Sequence, residues 1–226
     1  MTVDIKQRAK DIMKSDMVNM LIGAAIFAVV SIVSASISGG IIGNAIAGLI
    51  NSVAGACSAC FYFRAFNRGK ADINDTYSLL QDSANLPKIM TIMLAMWIIN
   101  TLISLAGNIL VFIPLVGIIA WMVLAIGASF LLMIVWYLFV ANPDYPTEYY
   151  LKGSSKYMGP EFFSYIGFVI SVAIGPILIE ALVSMILGGT LAGILCIPFD
   201  VYINLAIAGF IASIIPDRWF NGTEIL

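Results

Sequence analysis

The chain has 226 residues, of which 61% are hydrophobic and only 11% are charged, and its net charge is −2. Soluble domains are about 45–50% apolar and about 25% charged, so this composition excludes an ordinary soluble domain. It also argues against nucleic-acid binding, because the sequence has no extended basic face. Three cysteines without a histidine argue against a disulfide framework and most zinc sites, and we expect no cofactor.

The chain begins with an amphipathic segment at residues 3–17. Ile5, Ile12 and Met13 share one side of a helix, and four basic residues lie on the remaining sides of that helix. The segment is either a helix on the membrane surface or a solvated basic flank that orients the first span. The apolar run that follows is longer than the core of a secretory signal, so we expect it to stay as a membrane span.

Apolar runs of about twenty residues, the length that crosses a hydrocarbon core of about 30 Å, recur along the chain. Glycine and proline turns or polar loops separate them. The pattern predicts an all-α, six-span transmembrane bundle, with spans at residues 18–38, 41–63, 88–112, 115–141, 162–187 and 190–215. Short surface helices are predicted at residues 75–81, with Asp75 as the N-cap, and at residues 147–158, where Gly159-Pro160 follows. Pro216 and Asp217 end the last span and leave a short polar tail.

Tight turns near residues 39, 114 and 188 pair the spans into three hairpins. The hairpin units cover approximately residues 1–70, 71–144 and 145–226 of a single transmembrane domain. The recurring order of surface helix, span, turn and span indicates either a triplicated unit or the periodicity of any series of helical hairpins. Small residues in the second span favour close helix contact; they include Gly43, Ala47, Gly48, Ala54 and Ala56.

The positive charges predict how the chain is oriented. All 11 lysines and arginines lie outside the three tight turns. Basic residues are retained on the cytoplasmic side during insertion, so we expect both termini and the short surface helices to be cytoplasmic. An aromatic belt is predicted on the same side, formed by Tyr145, Tyr149, Tyr150, Phe162, Phe163 and Trp219.

Glu180 and Asp200 are the only charged side chains that we assign to the interior of the membrane. They fall roughly 12 and 16 Å from the last tight turn, at about 1.5 Å per residue. A charged group at this depth costs at least about 2.5–3.5 kcal/mol, and no basic residue lies at a comparable depth to pair with it, since Lys88 is the first residue of its span. Pro176 and Pro198 interrupt the backbone hydrogen bonds nearby.

Amide side chains accompany the two acids. Asn204 lies one turn beyond Asp200, and Asn51 and Asn100 lie at comparable or deeper levels. These groups predict either a polar site for a proton or small cation, or hydrogen bonds that hold helices together. On the surface helix at residues 147–158, Tyr149, Tyr150 and Lys152 are candidate contacts for a partner or the membrane surface, unless this helix is only a solvated connector.

Three short motifs carry a resemblance to a known family. They are Ile5-Lys6-Gln7-Arg8-Ala9-Lys10, Ile113-Pro114 with Gly117, and Ala141-Asn142-Pro143 before Glu148. In these motifs the sequence resembles a bacterial family of six-span membrane proteins catalogued as domain of unknown function 975. It is more distantly similar to the membrane domain of some glycerophosphodiester phosphodiesterases. The resemblance implies a six-span fold and a bacterial plasma-membrane location, but no agreed activity.

The sequence contains no serine–histidine pair, glycine-rich phosphate loop or metal-hydrolase motif, so we expect no enzymatic activity. Two functional classes remain. The first is transport of a proton, cation or small solute by way of Glu180 and Asp200. The second is an accessory role in which the chain, anchored in the lipid bilayer, assembles with another membrane complex through its cytoplasmic helices and small-residue faces. A homo-oligomer is expected only as a form of the transport class.

Overall fold

The computed structural model describes residues 2–110, 116–187 and 189–224. Within these ranges the chain is helical and has no β-strand. A short 3₁₀ helix, Ile73–Thr76, lies between the third and fourth α-helices. The α-helices are α1 (Thr2–Ser15), α2 (Met17–Ile37), α3 (Gly40–Arg68), α4 (Ser78–Gln81), α5 (Asn85–Leu110), α6 (Val116–Ala141), α7 (Thr147–Leu187), α8 (Gly189–Ile214) and α9 (Asp217–Phe220).

Five described helices, α2, α3, α5, α7 and α8, are long and apolar enough to cross a membrane. They confirm five of the predicted spans as helices. The predicted fourth span falls on α6, in which Leu131–Ala141 is a continuous apolar segment. Gly40, at the first predicted turn, has a φ of 63°, which glycine adopts without strain. Pro114 and Gly188, at the other two turns, lie outside the described residues.

Consecutive long helices pack as pairs, α2 with α3, α5 with α6 and α7 with α8. The pairs are joined through contacts of α3 and α7 with α6 and of α3 with α8. The core lies toward one end of the bundle, which we call the packed end, where Phe61, Leu138 and Phe210 are at most 2% exposed. At the opposite, open end, side chains such as Ile174 and Met185 of α7 are exposed.

Helix α1 packs against the protein itself. Ile5, Ala9 and Ile12 are buried where α1 crosses α8 and α3. Arg8 lies 4.9 Å above the centre of the Phe66 ring and donates a hydrogen bond to the carbonyl of Asn67 at 3.0 Å. We predicted that this segment would lie on the membrane surface or form a solvated flank. Its apolar side instead packs on α8 and α3 and completes the packed end of the bundle.

The connection between α3 and α5 differs from the prediction for Asp75. Asp72 caps the 3₁₀ helix, because its carboxylate accepts a hydrogen bond from the amide of Asn74. The Asp75 side chain is only 6% exposed, and its two oxygens each lie 2.8 Å from a guanidinium, those of Arg64 and Arg68. Asp75 is therefore not an N-cap; its negative charge holds the connection against the end of α3.

Helix α7 is continuous over 41 residues. The prediction of a separate surface helix that ends at Gly159-Pro160 was therefore wrong. Pro160 and Pro176 both lie inside the helix. A proline removes one backbone hydrogen bond. At Pro160 the helix is maintained by packing before and after the proline, since Met158 and Tyr165 are at most 1% exposed.

Candidate functional site

The structure places Glu180 and Asp200 within electrostatic reach of each other on the outside of the chain. Glu180 lies in α7 and Asp200 in α8, and both residues are exposed. Their carboxyl groups are close enough for their charges to interact, and both also act electrostatically on the Cys196 thiol. We call Glu180 and Asp200 the acidic pair.

The local sequence explains how the acidic pair is presented. Both residues lie within helices that are long enough to span a membrane. Around Glu180, α7 exposes Ile177, Leu178 and Leu182. The acidic pair therefore belongs to an outward, mainly apolar face near the open end, rather than to the buried core between helices.

No lysine or arginine of the described residues forms an ion pair with either acid. The described ion pairs lie elsewhere, at Asp75 and at Glu224. Two neighbouring carboxyl groups without a cation are stable at membrane depth only if they are protonated or meet a positive charge from outside the chain. This face can therefore hold a proton or receive a cationic group.

The three amides predicted to accompany the acids occupy different places. Asn204 is half-buried, and its side chain donates to the backbone carbonyl of Asp200 at 2.9 Å, so it does not bind the Asp200 carboxylate. Asn100 lines a cleft whose other residues come from α3 and α5. Asn51 is exposed on α3. Glu180 and Asp200 are thus the members of the predicted polar site whose charges act on each other.

The predicted surface contacts at the start of α7 are only partly available. Tyr150 is 0% exposed, and its hydroxyl donates to the backbone carbonyls of Asn142 and Tyr145 at 3.1 and 2.9 Å. Tyr149 is half-buried and stacks on Tyr145 with ring centres 5.3 Å apart. Of the three predicted contacts, Lys152 is exposed, while Tyr150 belongs to the core.

The aromatic residues near Tyr150 form a buried cluster rather than the predicted belt. Trp219 is 0% exposed, and its indole N–H donates to the carbonyl of Leu138 at 2.9 Å. Its backbone carbonyl accepts a hydrogen bond from the Asn142 side chain at 3.0 Å. The C-terminal segment that follows α8 therefore returns to the bundle and closes its packed end.

A buried carboxylate fixes the end of this segment. The Glu224 side chain is 1% exposed and lies 2.6 Å from the Lys156 ammonium and 3.2 Å from the Arg218 guanidinium. The hydrogen bond from Lys156 is the main cause that lowers the pKa of Glu224 below its ordinary value. The Glu224 amide also donates to the Tyr145 hydroxyl at 2.8 Å. We call this set of contacts the C-terminal clasp.

Sequence reasoning missed the C-terminal clasp. We interpreted residues 216–226 as a polar tail, although a tryptophan in a polar segment indicates that the segment packs on the protein, because its large apolar surface gains from burial.

Comparison with known proteins found no protein-family model, no curated protein and no solved structure that matches this chain.

Proposed function

We propose that this protein is a non-enzymatic, six-span accessory protein of a bacterial plasma membrane that assembles with another membrane subunit through the acidic pair. In this proposal α6 also crosses the membrane, which brings the number of spans to six, and both termini are cytoplasmic. The segregation of all 11 basic residues away from the three turns supports this orientation. The family resemblance supports the bacterial location and the six spans.

The observation that carries the proposal is the outward position of the acidic pair. Both residues lie in membrane-spanning helices, are exposed, and lack a basic partner among the residues that the structure describes. Exposure to lipid would cost each ionised carboxylate at least about 2.5–3.5 kcal/mol. A neighbouring transmembrane helix with a lysine or arginine at the same depth would neutralise the pair and remove that cost.

The partner is therefore defined by its chemistry as a transmembrane helix with one basic residue near its centre. Surrounding apolar residues of α7, such as Ile177 and Leu178, would pack against the partner helix. Because helix association in lipid depends on packing and polar contacts, a single buried charge pair can set both the partner and its depth.

A direct test uses designed peptides in lipid vesicles. One peptide is a polyleucine transmembrane helix with a central lysine, and its control has leucine at that position. Energy transfer between labelled peptide and protein should appear only with the lysine peptide, and should be lost in the double variant Glu180→Gln with Asp200→Asn. Equal transfer with both peptides, or transfer that survives the double variant, would contradict the proposal.

The second candidate function is transport of a proton or cation along this face. It is favoured by the proximity of the two carboxyl groups and by Pro176 and Pro198, which free backbone carbonyls close to them. Because the pair is exposed, such a path would be completed by a second copy or a partner. In proteoliposomes, this function predicts proton or cation flux that Glu180→Gln or Asp200→Asn abolishes while the protein still inserts.

A further inference from the structure

The cleft that Asn100 lines is separate from the acidic pair and lies between α3 and α5. Its volume is ≈ 590 Å³, within the range of about 300–1,000 Å³ that is typical of small-molecule sites. Polar groups enter it from both helices, Asn44 and Ser52 from α3, and Trp97 and Asn100 from α5. Both helices are candidate membrane spans, so this polar lining lies within the apolar part of the chain.

The polar groups of the cleft have capacity to bind a ligand. The side-chain amides of Asn44 and Asn100 form no hydrogen bond with any described residue. The Ser52 hydroxyl donates to the carbonyl of Gly48 at 2.9 Å, which leaves its oxygen able to accept. An amide that is removed from water without a partner costs roughly 1–3 kcal/mol, so a ligand with complementary groups would be stabilised here.

The two amides of the lining lie toward one end of the cleft, while Ser52 lies farther along, among apolar residues. Consecutive spans cross a bilayer in opposite directions, so the start of α3 lies at the same end of the cleft as the C-terminal part of α5. Asn44 is near the start of α3, and Asn100 is the last lining residue of α5, so both amides fall toward that end. Met93, Leu94 and Leu49 supply apolar surface along the rest. A ligand with a polar head and an apolar tail matches this order.

The described lining residues carry no charge, which favours an uncharged ligand over a charged one. A charged head group would be left without a counter-ion in a medium of low dielectric constant, at a cost of several kcal/mol. We propose that the α3–α5 cleft binds an uncharged amphiphile, whose carbonyl or hydroxyl groups are held by Asn44 and Asn100. Its apolar part packs on Met93 and Leu94. This site does not depend on the acidic pair.

Gly48 offers a way to close the cleft without disturbing the fold. A Cβ atom at Gly48 would meet no atom within 4 Å, so a leucine there would occupy the cleft. Gly167 of α7 is a matched control, since a Cβ at that position also meets no atom within 4 Å and Gly167 is not in the cleft. For the amides, Asn51→Leu is the control for Asn44→Leu, because both residues are exposed on α3 and Asn51 does not line the cleft.

The experiment measures binding to the detergent-solubilised protein by native mass spectrometry. Dioctanoylglycerol and a short-chain quinone are the uncharged probes, and they separate a hydroxyl-bearing glycerolipid from a carbonyl-bearing isoprenoid. Dioctanoyl phosphatidic acid is the charged comparison. We expect at least one uncharged probe to bind more tightly than the charged lipid.

Gly48→Leu should abolish binding, and the double variant Asn44→Leu with Asn100→Leu should weaken it by roughly tenfold, for two lost hydrogen bonds. Gly167→Leu and Asn51→Leu should bind as the wild type does. Failure of both uncharged probes to bind, equal binding of the phosphatidic acid, or unchanged binding by a correctly folded Gly48→Leu protein would overturn the proposal.

Discussion

Asp75 shows how one residue can fix the path of a connection. Its buried carboxylate lies 2.8 Å from Arg64 and from Arg68, and the Arg64 guanidinium also donates to Ser78 at 2.7 Å. Removal of the carboxylate leaves two guanidinium groups close together without their anion. The connection to α5 therefore depends on a charge that the helix-capping prediction had assigned to another role.

We expect Asp75→Asn to lower the free energy of unfolding in detergent by about 1–3 kcal/mol, because charge-assisted hydrogen bonds are lost in a mostly buried position. Chemical unfolding followed by tryptophan fluorescence measures the change. Asp144→Asn is the control, since Asp144 is exposed and forms no ion pair in the described part of the chain, and it should change stability little. Equal effects of the two substitutions would show that the Asp75 ion pairs do not stabilise the fold.

Glu224 predicts a pH dependence. Its pKa is lowered in the folded protein, chiefly by the Lys156 hydrogen bond, so its ionised form stabilises the fold at neutral pH. This contribution is complete above the ordinary glutamate pKa of about 4.3, and is lost as the pH falls below it toward the lowered value.

Glu224→Gln should therefore reduce stability at pH 7 by about 1–2 kcal/mol and flatten the loss of stability below pH of about 4. Thermal unfolding measured across this pH range tests the expectation. The exposed Glu148 provides the control, and Glu148→Gln should keep the wild-type profile. A Glu224→Gln protein whose stability falls with acid as steeply as the wild type would rule out this role.

At the scale of helices, the contact between α2 and α3 depends on a glycine that meets backbone. A Cβ at Gly43 would lie 2.5 Å from the carbonyl oxygen of Ile37, which cannot move away without shifting the end of α2. Farther along, Ser34 of α2 is 0% exposed and donates to the carbonyl of Ala47 at 3.0 Å. The two helices are therefore fitted to each other at these positions.

Gly43→Ala should destabilise the protein by about 1–3 kcal/mol, as overpacking does. Gly48→Ala, five positions along the same helix, should be neutral or slightly stabilising, because its Cβ meets nothing and alanine favours a helix by up to about 1 kcal/mol. The unfolding midpoints of the two variants, each compared with that of the wild type, measure these two effects. A Gly43→Ala protein as stable as Gly48→Ala would mean that the close α2–α3 contact is absent.

The helices themselves could be predicted from the sequence, because long apolar runs end at glycine, proline and charge. Which face of each helix is buried could not be predicted in this way. Gly48 was expected at a close contact but meets open space, and Tyr150 and Trp219 were expected at the membrane surface but are buried. Aromatic residues suit both a belt and a core, and only the packing of distant segments selects between the two.

The local rule for proline failed for a related reason. Pro160 was expected to end a helix, yet α7 continues through it because tertiary contacts compensate for one lost hydrogen bond. For the candidate site, the depth of Glu180 and Asp200 followed from counting residues. That they lie near each other and face outward depends on how α7 packs on α8, which the sequence pattern did not contain.

At the scale of the whole molecule, packing is uneven. The packed end is closed by α1, the connection at Asp75 and the C-terminal clasp, while α5 and α7 expose long apolar faces toward the open end. A closed end, together with an outward acidic pair that has no basic partner among the described residues, agrees with the proposal that α7 and α8 bind a neighbour in the bilayer.

The most direct test of this account is the environment of the acidic pair in the isolated protein. A nitroxide label at position 180 or 200, with the three native cysteines replaced, can be measured in lipid nanodiscs by its collisions with oxygen and with a water-soluble nickel complex. A label at position 138, where Leu138 is 0% exposed, serves as the shielded control. The account predicts high access of oxygen and little access of nickel at positions 180 and 200. A label that nickel reaches readily, or one as shielded as that at position 138, would contradict an outward, lipid-facing acidic pair.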